Sequence, residues 1–330
     1  MTEFVDGLGS DLVRRALQPL VGDSIDYSIP RDPRQSQPLP EMLDAHDPDT
    51  ASDTVWRALT LLSDELSEGS AWKVRVQGLQ RRNHYGATIA EGCAVTASEA
   101  LRNDGIDHAI FGDLSLATQY RRRGDRLVNR LAIAVDPRIS RARLTDCIRA
   151  MDGLTIESTR RNLVTGRFDS MPTTFHRGWS PLMGGRRLSL EAETEAETGT
   201  DADAGLVGSV AFQQVPRISA PVEVLRLFVS AGDPDNVDHR SPAWLLDLAM
   251  ILRSRPDAAR QATALASRLS VTEIACPGID QARRFGIDAV PAPARTTHGL
   301  RRAASHMAIA DGSLARRVGQ LLLEAHTPRS

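Results

Sequence analysis

The stretch His108–Pro137, "HAIFGDLSLATQYRRRGDRLVNRLAIAVDP", decides the fold. "DHAIFG" is a short apolar run closed by Gly112, a residue that tolerates the backbone angles of a tight turn. "LSLATQYRRR" has helical spacing, and "RLAIAVD" alternates as a strand does. Residues two apart on a strand point to one face, so Arg130, Ala132, Ala134 and Asp136 are expected to share a side of the second strand.

Outward from this unit, "SRARLTDCIRAMDG" reads as a helix with Ser140 as N-cap and Gly153 at its end. "LTIESTRRNLV" and "RRLSLEAE" read as further strands. Strands alternating with helices on this scale predict an α/β sheet. On the N-terminal side, "TVWRALTLLSDELS" places Val55, Leu59, Leu62 and Leu66 on one helical face, with Asp53 as N-cap. Val74–Asn103 reads as a longer helix, broken or bent near Gly86 and Gly92. Residues 1–50 hold a short amphipathic helix, Asp11–Leu20, within what is otherwise expected to be an extended or disordered arm rich in Pro and Asp. Past "EAETEAETGTDADAG", an acidic loop over residues 191–205, the chain turns helical through "APVEVLRLFVSAG", "SPAWLLDLAMILRSRP", "DAARQATALASRLS", "VTEIACPGIDQARRFG" and "GSLARRVGQLLLEAH". Ser241 with Pro242 marks one helix start, and Gly286 closes another. The expected organisation is an arm over 1–50, an α/β lobe over 51–205 and a helical lobe over 206–330.

Composition narrows the function classes. A net charge of -2 over 330 residues gives no global attraction to nucleic acid or an anionic membrane, so a phosphate-binding surface must be local. Aromatics at 4% leave little for a base-stacking platform. Sequence-specific nucleic-acid binding is therefore not expected. Cys93, Cys147 and Cys276 are far apart and in no metal-ligand spacing, and no segment reaches the roughly 20 apolar residues of a membrane helix. The expectation is a cytoplasmic protein with free thiols and no membrane partner. "DPDNVD", Asp233–Asp238, lacks the glycine and terminal glutamate of a calcium loop and reads as a turn before Pro242.

The order and spacing of several residues resemble an uncharacterised nucleotidyltransferase family with the pattern LKG, LA, tyrosine, arginine, DxDxxV. Ile110-Phe111-Gly112 stands at the LKG position, Leu116-Ala117 at LA, Tyr120 at the tyrosine, Arg126 at the arginine and Val135 at the closing valine. Trp244 and Asp247 match a downstream WxxD. The resemblance spans roughly residues 55–290. It implies an α/β fold with a nucleotidyltransferase-like mixed sheet lobe, N-terminal helices and a helical C-terminal lobe. It also implies an accessory role in peptide natural-product pathways.

The departures fall on the chemistry. Two aspartates two residues apart can hold the divalent ions that bind a triphosphate and activate the attacking hydroxyl. Arg130 and Ala132 stand in their places, and Phe111 replaces the lysine of the turn. Glu191 stands where a third carboxylate on a later strand is expected. The favoured reading is a catalytically degenerate protein with no cofactor. It binds a nucleotide, a phosphorylated small molecule or a protein partner in the former cleft, with Gly112, Asp113, Arg126, Arg130, His176 and Glu191 as candidate ligand-binding residues. A guanidinium at 130 can grip a phosphate bidentately without metal, and "YRRRGDR" can extend such an anion site. Paired to an acid such as Glu191, the same arginine is structural. One alternative is an active Mg²⁺-dependent transferase that uses relocated carboxylates, Asp113, Asp136 and Glu191. A second is a purely structural interaction protein.

Overall fold

The computed structural model describes residues 2–21, 37–160, 162–177, 210–232, 241–269, 271–287 and 290–291. It is a mixed α/β protein. Helix α1 (Thr2–Val21), α2 (Leu39–Asp44), α3 (Asp53–Leu61) and α4 (Ala71–Asn103) precede the sheet. Strand β1 (His108–Phe111), α5 (Asp113–Ala117), β2 (Leu131–Val135) and α6 (Arg141–Arg149) follow, then β3 (Leu154–Arg160), β4 (Leu163–Phe168) and β5 (Met171–Arg177). The remaining described helices are α7 (Val210–Gln213), α8 (Ala220–Gly232), α9 (Trp244–Ser254), α10 (Ala258–Arg268) and α11 (Thr272–Arg284).

The five strands run in the order β1-β2-β5-β4-β3. Only β2 and β5 pair in parallel. The outer edge of β1 is covered, because Ile110 exchanges backbone hydrogen bonds with Pro216 and Ile218. Paired on both sides, β1 presents no free ladder for another chain.

Two cores divide the molecule. One face of the sheet, carrying Ile110, Ile133, Val135, Val164 and Phe175, packs against α4 and α6. Helix α4 meets it through Ala87, Ala90, Ala94, Ala97 and Leu101, small side chains at helical spacing that let helix and sheet approach closely. The second core joins α1, α2 and α3 to α8, α9, α10 and α11. The first helices therefore belong with the C-terminal helices. In α1, Leu12, Val13, Ala16 and Leu17 are fully buried, so this part of residues 1–50 is core rather than arm. The apolar period of the short amphipathic stretch extends further and finds a partner in α3 and α9. Residues 22–36 lie outside the described residues.

Local expectations meet the structure unevenly. Ser140 caps α6 as expected, accepting from Arg143 N at 3.1 Å. The cap of α3 is Ser52 and not Asp53, which is the first helical residue. Gly86 and Gly92 do not break α4, which runs through 33 residues. "LTIESTRRNLV" is not one strand but parts of the hairpin β3–β4, and "MPTTFHR" is a strand that the sequence pattern hid behind Pro172. The helix expected over "LSLATQYRRR" stops at Ala117, and Arg123–Asp125 forms a 3-10 turn. In that turn Gly124 packs so closely on α4 that a Cβ there would strike the Gln80 carbonyl. "RRLSLEAE", the acidic loop, "DPDNVD" and "GSLARRVGQLLLEAH" lie outside the described residues.

Candidate functional site

The turn after β1 is built by Gly112, at φ 72° and ψ -138°, a backbone region that side chains rarely enter. Its N–H donates to Glu223 Oε1 at 3.2 Å, and the turn lies directly against Ala132. Glu223, on α8, is buried and also accepts from Arg226 Nη2 at 2.6 Å. Burial pushes its carboxyl above the usual range, and the Arg226 charge opposes that rise.

Below this turn sits a buried ionic cluster centred on Asp247, in the first turn of α9. Its Oδ1 accepts from Tyr120 Oη at 2.6 Å and from Arg126 Nε at 2.7 Å. Its Oδ2 accepts from Arg57 Nη2 at 2.8 Å and Arg126 Nη2 at 3.2 Å. Arg126 also reaches Asp113 Oδ1 at 3.2 Å. Burial alone would raise the Asp247 carboxyl, but the Arg126 and Arg57 charges outweigh it and hold the group well below the usual carboxylate range. Two guanidiniums thus face two carboxylates. Arg126 is committed to protein groups here, joining the segment before β2 to α9, and Asp113 is half-buried as its second partner.

The Ala132 face of β2 changes character along its length: Ala134 joins the helical core, while the end near Arg130 is polar. Register places Phe111, Ala132, Thr174, Thr165 and Ser158 in one row across the sheet, from β1 to β3. The next row holds Ala134, His176 and Leu163. Arg130, one residue before β2, is exposed and has no ion pair among the described residues. His176 Nε2 lies 3.2 Å from Thr174 Oγ1, and its ring meets Phe111 edge-on at 5.1 Å. Its Nδ1 is buried with no hydrogen-bond partner among the described residues. Burial, and then the Arg130 charge, push the imidazole down to about 4, so the ring is neutral near pH 7.

The remaining candidates are scattered. Asp113 accepts from Asn129 N at 3.3 Å, beside the start of β2. Asp136 sits past its far end, where its carboxylate accepts from Arg138 N and Arg138 Nε, both at 2.7 Å. At ~3.3 Å per residue, the seven residues from Asn129 to Asp136 set the two acids on the order of 20 Å apart. They cannot share a metal ion. Glu191 lies outside the described residues. In "YRRRGDR", Arg122 pairs with Asp64, Arg123 with Glu91 and Arg126 with Asp247, so the run supplies structural ion pairs as much as free charge.

Sequence reasoning missed Arg57, Thr174 and Glu223. Glu223 carried a signal, as an isolated acid in an apolar helix with Arg226 three residues on. The hydroxyl row carried none, since it exists only through register. Among the described residues no group of three or more His, Cys, Asp or Glu side chains could hold a metal ion. Around Ala132 the face offers hydroxyls, an imidazole and a guanidinium where Mg²⁺ would need carboxylate oxygens, so these residues do not fit that ion. Cys93, Cys147 and Cys276 are free thiols. No described helix is long and apolar enough to cross a membrane. No protein-family model matches the chain, and no curated protein matches it.

Proposed function

We propose that the chain is a catalytically degenerate nucleotidyltransferase-like protein of the cytoplasm. It binds a nucleotide or phosphorylated small molecule on the sheet face beside Ala132 without turning it over. One observation carries the reading: Arg130 stands exposed, without an ion pair among the described residues, on a face where Ala132 and Thr174 occupy neighbouring strands and neither is an acid. Nucleotidyl transfer through two metal ions needs closely spaced carboxylates, whereas a guanidinium beside hydroxyls suits an anion. Asp113 and Asp136, the acids that could have been relocated ligands, are engaged with Arg126 and Arg138 at opposite ends of β2. An accessory role, delivering or sensing a phosphorylated molecule for a partner protein, follows from such binding without turnover.

The test is incubation with Mg²⁺ or Mn²⁺ and labelled nucleoside triphosphates, scored for pyrophosphate release, alongside thermal shift with the same nucleotides. A nucleotide-dependent rise in Tm with no pyrophosphate is expected. Pyrophosphate release abolished by Asp136→Ala or Asp113→Ala would establish the enzyme reading instead. Absence of any thermal shift, together with a co-purifying protein, would favour a purely structural interaction role.

A further inference from the structure

We propose that the partly exposed stretch of sheet running from Arg130 across β5 to β4 is an oligophosphate site that works without a divalent metal, with Arg130 and Arg167 as its two cationic walls. The inference rests on the reading above and goes beyond it by naming the groups and the ligand chemistry.

Register carries the argument. Leu131 pairs with Thr173, so Arg130 falls opposite Pro172 on β5, and Pro172 pairs with Arg167 on β4. The two arginines therefore flank Pro172 in one row, two strand spacings or about 10 Å apart between backbones. Thr174 and Thr165, paired across β5 and β4, form the adjacent row on the same face. Their hydroxyls connect outward, Thr165 Oγ1 to Ser158 Oγ at 3.0 Å and Thr174 Oγ1 to His176 Nε2 at 3.2 Å. The floor between the walls is the small Pro172, only partly buried, next to Ala132, which is buried.

Charge on this face favours an anion. Arg130 has no acid partner among the described residues. Arg167 donates to Glu157 Oε1 at 3.1 Å, but both side chains are nearly half exposed, 44% and 48%, and an exposed pair of this kind is worth little and yields to a stronger anion. Arg167 Nη1 also reaches Ser170 O at 3.4 Å, which holds the side chain near the row. His176 Nδ1, buried and unpartnered among the described residues, lies one row along. Two guanidiniums about 10 Å apart with hydroxyls in the adjacent row match two linked phosphates better than one, because each planar fork takes two oxygens of its own phosphate.

The experiment is isothermal titration of the full chain with pyrophosphate, AMP, ADP and adenosine in EDTA, repeated with excess Mg²⁺. Pyrophosphate and ADP are expected to bind in EDTA, AMP more weakly and adenosine not at all. If the ligand is a nucleotide, ADP binds more tightly than pyrophosphate; if the site takes any diphosphate, the two are equal. Arg130→Ala should weaken both by roughly tenfold or more, the loss of a hydrogen bond to a charged group, and Arg130→Lys should fail to restore them. Arg167→Ala should weaken pyrophosphate more than AMP. Unchanged Tm in the absence of ligand shows that these exposed-site variants fold. Binding that requires Mg²⁺, or ADP binding untouched by Arg130→Ala, overturns the metal-free site while leaving ligand binding in the cleft intact. Absence of binding by pyrophosphate, AMP and ADP under both conditions overturns both readings.

Discussion

The Asp247 cluster and the Arg130 face both lie near the entry to β2 and treat charge in opposite ways. At Asp247, four donors from α3, the Tyr120 turn and the segment before β2 saturate one buried carboxylate. At the face, a guanidinium stands in solvent and a buried imidazole nitrogen has no partner among the described residues. A satisfied buried network specifies how elements dock, while an unsatisfied one leaves free energy for something else to bind. The contrast separates Arg126, which the sequence pattern placed with the ligand, from Arg130.

Breaking the satisfied side should cost most. Asp247→Ala leaves Arg57 and Arg126 facing each other without their shared counter-ion, and a loss of about 3–5 kcal/mol in urea unfolding is expected. A loss under about 1 kcal/mol would mean that the cluster is hydrated and does not hold the two cores together.

Acid titration sharpens the comparison next. The His176 imidazole is held at about 4, against 6.5 for an ordinary histidine. Between those values the unfolded chain takes up a proton that the folded one refuses, so stability falls as pH drops from about 6.5 to 4, by up to about 3 kcal/mol. Asp125 behaves in the opposite sense. It is buried on the α4 side of the 3-10 turn, and burial pushes its carboxyl up to about 6 against the hydrogen bond from Gln80 at 2.9 Å and the charge and backbone hydrogen bond of Arg122. Here the folded chain takes the proton first, so this group adds stability as pH falls through 6 and its contribution levels off near 4. The two windows overlap, so the wild type should show a shallow pH profile between 6.5 and 4. His176→Phe should gain stability on acidification across that window and Asp125→Asn should lose it, read as Tm against pH. Parallel profiles for the two variants would refute the opposed assignment.

Smaller still, Asp125→Asn at pH 7 should stabilise by about 1–2 kcal/mol, since it removes an under-compensated buried charge while keeping the acceptor for Gln80. Smallest of all, Arg130→Ala should leave unliganded stability within about 0.5 kcal/mol, as for any exposed side chain without a structural partner. A larger loss would place Arg130 among the structural arginines.

Much of this was legible in the sequence. Both strands and the turn of His108–Pro137 appear as read, with Gly112 at positive φ, while the helix between them is shorter than its pattern. Helix α8 matches "APVEVLRLFVSAG" residue for residue, and Gly286, at φ 82°, follows the end of α11. The failures have a common origin. Pro172 and the three threonines of β4 and β5, Thr165, Thr173 and Thr174, weaken any alternation, so that hairpin depends on its neighbours more than on its own propensity. The burial of α1 depends on α9, more than 200 residues away.

By itself the sequence determined the α/β class, the glycine turn, the Ser140 cap of α6 and the glycine stop after α11. Those features rest on periodicity and backbone chemistry within a few residues. Only the tertiary structure decided that Arg126 and Tyr120 serve Asp247, that Asp113 and Asp136 stand at opposite ends of β2, and that Arg130 shares a row with Arg167. Ion pairs and strand register join residues up to 190 positions apart. Local pattern encodes which side of an element is apolar, but the partner of a buried charge is chosen by packing, where leaving it unpaired would cost most.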